Sequence, residues 1–213
     1  MIRNSLGVGL ATGAYGVSFG ALAVTSGFSV LQTCALSALV FTGASQFAMI
    51  GVVASGGSPF GAAGSALLLA SRNTLYGLRL ATLLRLSGWR RLTGAQLVID
   101  ESTAMAVAQP DRRLARVGFL VTGGSIFVLW NAGTLAGALG GETIGDPRTF
   151  GLDAAVGAAF LALLWPRLVG WWERGAALAA AAIAVGLVPF TTPGVPVLAA
   201  GSVAVLAGLV QRR

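Results

Sequence analysis

Apolar runs recur along nearly the whole chain, separated at short intervals by Arg, Pro, Gly and acidic residues. A membrane-crossing helix needs about 20 mostly apolar residues. Seven tracts approach that length: 5–27, 31–55, 59–84, 117–140, 151–166, 175–190 and 195–210. Pro59 opens the third, a residue suited to a first helical turn. Residues 93–109 form a shorter tract with Asp100 and Glu101 near its middle and Pro110 just beyond its end. It is too short and too charged for a good crossing and reads as a surface or re-entrant piece. The pattern predicts an all-α integral membrane protein with about seven transmembrane helices, some broken or half-length. Residues 1–213 form one polytopic domain with no room for a separate soluble one.

Composition agrees. Of 213 residues, 55% are hydrophobic and 10% charged, against roughly 25% charged in soluble domains. The net charge of +7 comes from Arg alone, since the chain has no Lys. These Arg residues punctuate apolar tracts instead of forming one basic face, so they read as loop charges beside a lipid bilayer and not as a nucleic-acid surface. Lacking Lys, the chain has neither a Walker lysine nor a Schiff-base lysine. Lacking His, it has no imidazole base, ligand or relay. Cys34 stands alone, which excludes an internal disulfide or a cysteine metal cluster. No cofactor or metal is expected.

Orientation follows from Arg placement. With seven crossings and 93–109 outside the count, Arg85, Arg90, Arg91, Arg112, Arg113, Arg116, Arg167, Arg174, Arg212 and Arg213 share one side, and Arg3 and Arg148 the other. That predicts an outside N-terminus and an inside C-terminus. The pattern G-x-L-A-x-x-x-G occurs at 20–27 and again at 133–140. In the seven-crossing arrangement the two copies run in opposite directions, as in an inverted repeat of three helices plus three with one helix added. Gly9/Gly13, Gly16/Gly20 and Gly133/Gly137/Gly141 have the spacing that lets helices approach closely.

Two of the apolar tracts carry polar motifs where lipid would be deepest. The first is Phe41-Thr42-Gly43-Ala44-Ser45-Gln46-Phe47. Small residues leave its backbone exposed, and Gln46 supplies both a donor and an acceptor. These groups could bind a zwitterion or glue a tight helix crossing. The second is Ser71-Arg72-Asn73-Thr74-Leu75-Tyr76-Gly77, with Arg72 and Tyr76 on one helix face. An Arg at that depth costs roughly 3 kcal/mol on insertion scales, so it marks a functional site by default. Arg72 could anchor a carboxylate or pair with Asp100, Glu101 or Asp153. Asp100, Glu101 and Asp153 are the groups available for ion or proton coupling, and Asp153 equally suits a first helical turn. Asn131 beside Trp130 offers a further polar contact. No activated nucleophile is present, so enzyme chemistry is not expected. A non-transporting scaffold or regulatory subunit is the alternative to a transporter.

The strings Phe41-Thr-Gly-Ala-Ser-Gln-Phe-Ala48, Arg72 with Leu75-Tyr76-Gly77, Asp100-Glu101 with Ala104, and Phe150-Gly-Leu-Asp153 with Phe160-Leu-Ala-Leu-Leu164 occur in this order. In that order and spacing they resemble the AzlC-like family of bacterial branched-chain amino acid exporters. Ala70, Asn73 and Ile99 depart from the family's usual Asn, His and Thr. The resemblance implies export of valine-like amino acids across the bacterial inner membrane, together with a small AzlD-like membrane subunit as partner. Thr42, Gly43, Ser45, Gln46, Arg72, Asn73, Tyr76 and Asn131 are the expected substrate-binding residues.

Overall fold

The computed structural model describes residues 1–144, 161, 164, 165 and 168–211. All regular structure among them is helical. The helices are α1 (Ile2–Thr25), α2 (Val30–Leu39), α3 (Ala44–Ala54), α4 (Pro59–Leu84), α5 (Trp89–Gln96), α6 (Asp100–Val107), α7 (Arg112–Ile144), α8 (Trp171–Leu187) and α9 (Val195–Gln211), with a 3₁₀ turn at Val188–Phe190. Three are long and apolar enough to cross a bilayer: α1, residues 112–141 of α7, and α8 extended to Phe190. At 26 residues, α4 is also long enough and carries Arg72 and Arg79 within it.

Local chemistry fixes several boundaries. Ser29 and Gln32 form a reciprocal cap on α2: the Gln32 N–H donates to Ser29 Oγ, and the Ser29 N–H to Gln32 Oε1. The Ser58 hydroxyl caps α4 by accepting from the Gly61 N–H at 3.1 Å, with Pro59 in the first turn. Asp111 caps α7 by accepting from the Leu114 N–H at 2.9 Å.

α1 and α7 form the central seam. Gly9 lies against Ser125, Gly13 against Leu129, Gly16 against Trp130, Gly20 against Thr134 and Ala138, and Gly141 against Ala21. The numbers rise together, so the two helices are parallel. A Cβ on Gly20 would collide with the Thr134 carbonyl, and one on Gly137 with the backbone of Val17. Glycine is therefore what lets the backbones touch. The two G-x-L-A-x-x-x-G copies sit on helices running the same way, packed on each other, so they are not related by inversion.

The reason lies in 31–55. The sequence reads it as one crossing; the structure breaks it at 40–43 and turns it back. Along α2, Ser37 bonds Thr134 and Phe41 packs on Phe127; beyond the break, Phe47 packs on Trp130. Against α7 the chain thus descends and then climbs again. Gln46 Nε2 donates to the Leu36 carbonyl at 3.0 Å. In an uninterrupted helix those residues would stand about 15 Å apart. Gly43, with φ +64°, occupies the turn in a backbone region that favours glycine.

Residues 89–107 do the same from the other end. Gly94 faces Phe119 and Gly123 faces Leu97 as α5 enters; Gly123 faces Ser102 and Gly118 faces Met105 as α6 leaves. The half-length reading of 93–109 is met by two short helices in a hairpin. The two hairpin tips touch where Gln96 Nε2 donates to the Ala38 carbonyl at 2.7 Å.

α4 is antiparallel to α7. Its C-terminal Leu84 carbonyl accepts from Arg116 Nε at 2.7 Å, near the start of α7. α9 runs parallel to α4, with Gly61 beside Gly194, Gly64 beside Leu198 and Leu68 beside Gly201. The N-terminus and the end of α9 consequently lie at the same end of the bundle. Arg3, Arg85, Arg90, Arg91, Arg112, Arg113 and Arg116 gather there, while the opposite turns at 26–29, 55–58 and 188–194 contain no Arg. An N-terminus and a C-terminus on opposite faces required 31–55 to cross; its reversal brings them together. The tract 151–166 and Asp153 lie almost wholly outside the described residues.

Candidate functional site

Arg72 is near the middle of α4, about 20 Å from either end at 1.5 Å per residue. Its terminal nitrogen Nη2 meets Asp100 Oδ2 at 3.0 Å, with side chains 32% and 22% exposed. Asp100 is the first residue of α6, at the tip of the second hairpin. The pair therefore ties the central long helix to that tip.

A cavity of about 610 Å³ opens at this point, a size suited to a small organic ligand. The first hairpin tip supplies Phe41, Thr42, Gly43 and Ala44; the second supplies Ile99, Asp100 and Glu101. Leu69 and Arg72 of α4, Ile126 and Trp130 of α7, Leu164, and Ala11, Thr12 and Tyr15 of α1 complete the wall. Phe47 also lines the wall; behind it Phe19 stacks on Trp130 at 5.9 Å between ring centres, and Phe47 meets both edge-on. Such pairs add about 0.5–1.5 kcal/mol each beyond their buried area and hold that wall rigid.

The cavity is mostly apolar; its polar side chains are Thr42, Asp100 and Glu101 at the tips, Arg72 on α4, and Thr12 and Tyr15 on α1. The Thr42 hydroxyl donates to the Val40 carbonyl and closes onto the Ser45 hydroxyl. The Gln46 side chain is committed to the hairpin itself: Oε1 accepts from the Gly43 N–H and Nε2 donates to the Leu36 carbonyl. Several buried polar atoms lack a hydrogen-bond partner among the described residues: Arg72 Nε, Asn73 Oδ1, Thr103 Oγ1 and Trp130 Nε1.

The sequence-expected residues thus separate. Thr42, Gly43, Arg72, Asp100 and Glu101 share the cavity wall. Ser45 and Gln46, each 1% exposed, lie just behind it. Asn73 and Tyr76 follow Arg72 on α4 without lining the cavity, and Asn131 donates to the Phe127 carbonyl within α7. Ala11, Thr12 and Tyr15 had no motif to announce them; only the parallel seam brings α1 to the site. Among the described residues, no group of three or more Cys, Asp or Glu could hold a metal ion.

A second cavity, of about 910 Å³, lies between α3, α4, α8 and α9 and shares Leu69 and Leu164 with the first. α8 contributes the alanines Ala176, Ala177, Ala180, Ala181 and Ala184 to its wall.

A helical bundle with a charged pair, two facing hairpins and a cavity halfway along its long axis is a multi-pass membrane protein with an intramembrane polar site. The AzlC protein family profile matches residues 7–144, which contain nearly all of that site. The chain belongs to the AzlC family, and this membership supports a transporter-type role. It is 31% identical over 201 residues to the inner membrane protein YgaZ of Escherichia coli strain K12, covering 91% of this chain and 78% of that one. It is 33% identical over 181 residues to an uncharacterized membrane protein of Archaeoglobus fulgidus, covering 84% and 80%. No solved structure matches it.

Proposed function

We propose that this protein is a secondary transporter that exports branched-chain or similarly hydrophobic amino acids, valine-like in size. In this reading it is the large subunit of a two-component permease whose partner is a small AzlD-like membrane subunit. The observation that carries the reading is the cavity between the two hairpin tips. Its apolar wall suits a branched side chain, and Asp100 and Glu101 of the second tip together with Arg72 of α4 bring charges of both signs for a zwitterion. Hairpins that enter from opposite ends and meet at one site fit access from either side in turn. Asp100 and Glu101 are the groups placed to couple an ion or proton to that cycle.

The arginine-bearing end faces the cytoplasm in this proposal, with both chain ends there, since Arg accumulates on the cytoplasmic side of membrane proteins.

The test is flux of labelled valine in proteoliposomes holding this chain with and without its small partner. Valine movement above empty vesicles, reduced at least tenfold by Arg72→Ala, is the expected result. Undiminished flux in that variant counts against the site, and absence of flux with the partner present counts against the function.

A further inference from the structure

Arg72 is the obvious seat for a ligand's carboxylate, yet its charge is already matched by Asp100 Oδ2 at 3.0 Å. A second anion-binding element faces the same cavity. α3 begins at the first hairpin tip and has no acidic residue in its first turn. By contrast, the first turn of α6 carries Asp100 and Glu101. A helix N-terminus presents unpaired N–H groups and a partial positive charge. At α3, the Gly43 N–H is taken by Gln46 Oε1. The Gln46 and Phe47 N–H groups both turn to the Gly43 carbonyl. The Ala44 and Ser45 N–H groups follow directly after the glycine turn, and Ala44 lines the cavity.

Trp130 supplies an independent observation. It is 3% exposed, forms part of the same wall, and its indole Nε1 has no acceptor among the described residues. A buried donor without an acceptor is costly, and a ligand oxygen would satisfy it.

We propose that the carboxylate of the bound ligand is held by the N-terminus of α3 and the Trp130 indole N–H, and that its cationic end faces Asp100 and Glu101. Arg72 is then a positioning residue that fixes the second hairpin tip through Asp100. This rests on the amino-acid reading of the cavity and adds which end of the molecule goes where.

The test measures binding to the full chain in nanodiscs by calorimetry, with three probes: L-valine, valinamide (no carboxylate) and isovalerate (no ammonium). Trp130→Phe keeps an aromatic ring against Phe19 and removes the donor along with part of the indole. It is expected to weaken valine and isovalerate about tenfold and valinamide clearly less, since a neutral amide oxygen is a weaker acceptor than a carboxylate. Arg72→Gln is expected to weaken valine and valinamide alike, because it disturbs the tip and not the carboxylate. In the wild type, where folding of a variant is not at issue, isovalerate is expected to compete with valine. Valine binding that ignores Trp130→Phe but is lost selectively over valinamide in Arg72→Gln overturns the seat and leaves the amino-acid reading standing. Failure of isovalerate to compete also overturns the seat alone. Failure of the wild type to bind valine overturns both.

Discussion

Gln96, at the end of α5, donates its side-chain N–H to the carbonyl of Ala38 on α2, 2.7 Å away. The residues are 58 positions apart in sequence and belong to hairpins that enter the bundle from opposite ends. One amide thus latches the two tips that wall the cavity.

This contact predicts a cross-link. In a Cys34→Ala background, Ala38→Cys with Gln96→Cys should be joined by a short bifunctional maleimide, giving a product that shifts on a denaturing gel after proteolysis between the sites. Gln96→Leu in the otherwise unaltered chain should lose about 1 kcal/mol of stability, read as a lower unfolding temperature in detergent. A cross-link yield no higher than that of Leu31→Cys with Gln96→Cys would remove the latch.

The α1–α7 seam predicts sharply different outcomes for two glycines. A Cβ on Gly137 would stand 2.7 Å from the Val17 carbonyl carbon, while one on Gly7 would meet nothing within 4 Å. Gly137→Val should cost about 3 kcal/mol or more and lower the yield of folded protein. Gly7→Ala should be neutral or stabilise by up to about 1 kcal/mol. Thermal unfolding of the two variants checks this, and equal behaviour would contradict the close parallel contact.

The Arg72–Asp100 pair predicts non-additivity. Asp100→Ala leaves an uncompensated guanidinium, and Arg72→Ala an uncompensated carboxylate, so each single change should destabilise more than its half of the double change. A double-mutant cycle should give a coupling energy of about 1–3 kcal/mol, measured by unfolding in detergent. Additive single effects would show that the 3.0 Å contact contributes nothing.

Reversal of the chain at 40–43 predicts that residues 26 and 55 are exposed on one face. Ser26→Cys and Ser55→Cys, each in the Cys34→Ala background, should label from outside intact cells with a membrane-impermeant maleimide. Ser87→Cys, at the arginine end, should label only after permeabilisation. Labelling of Ser26→Cys and Ser55→Cys from opposite faces would restore the crossing that the hairpin replaces.

Much of this fold was legible in the sequence where local chemistry decides it. The 59–84 tract matches α4 (Pro59–Leu84) because Ser58 and Pro59 are a helix start in their own right. The hairpin at 31–55 was not legible as a reversal. An apolar tract with Thr, Gly and Ser at its centre reads the same whether the chain continues or turns back. The direction is set by the Gln46 bond to Leu36 and by Phe41 and Phe47 packing at Phe127 and Trp130, all of them tertiary contacts. The orientation expectation followed the crossing count and changed with it. Within the site, Arg72 stood out because charge in lipid needs a reason, and Asp100 was among its expected partners. Thr12 and Tyr15 did not stand out, because nothing in their own segment distinguishes them from other interfacial positions. Their relevance comes from the long-range seam that carries α1 past Trp130.

That seam also has a consequence for how the protein is made. The glycine face of α1 finds its matching surface only on α7, which is synthesised after α2 to α6. During that interval the first helix must wait beside the insertion machinery or in lipid with its small-residue groove unfilled. A nascent chain released before residue 112 would leave the groove open to any neighbouring helix with small side chains, so faithful assembly depends on the first and fifth segments of the biosynthetic order, separated by two hairpins and the long helix α4, finding each other late.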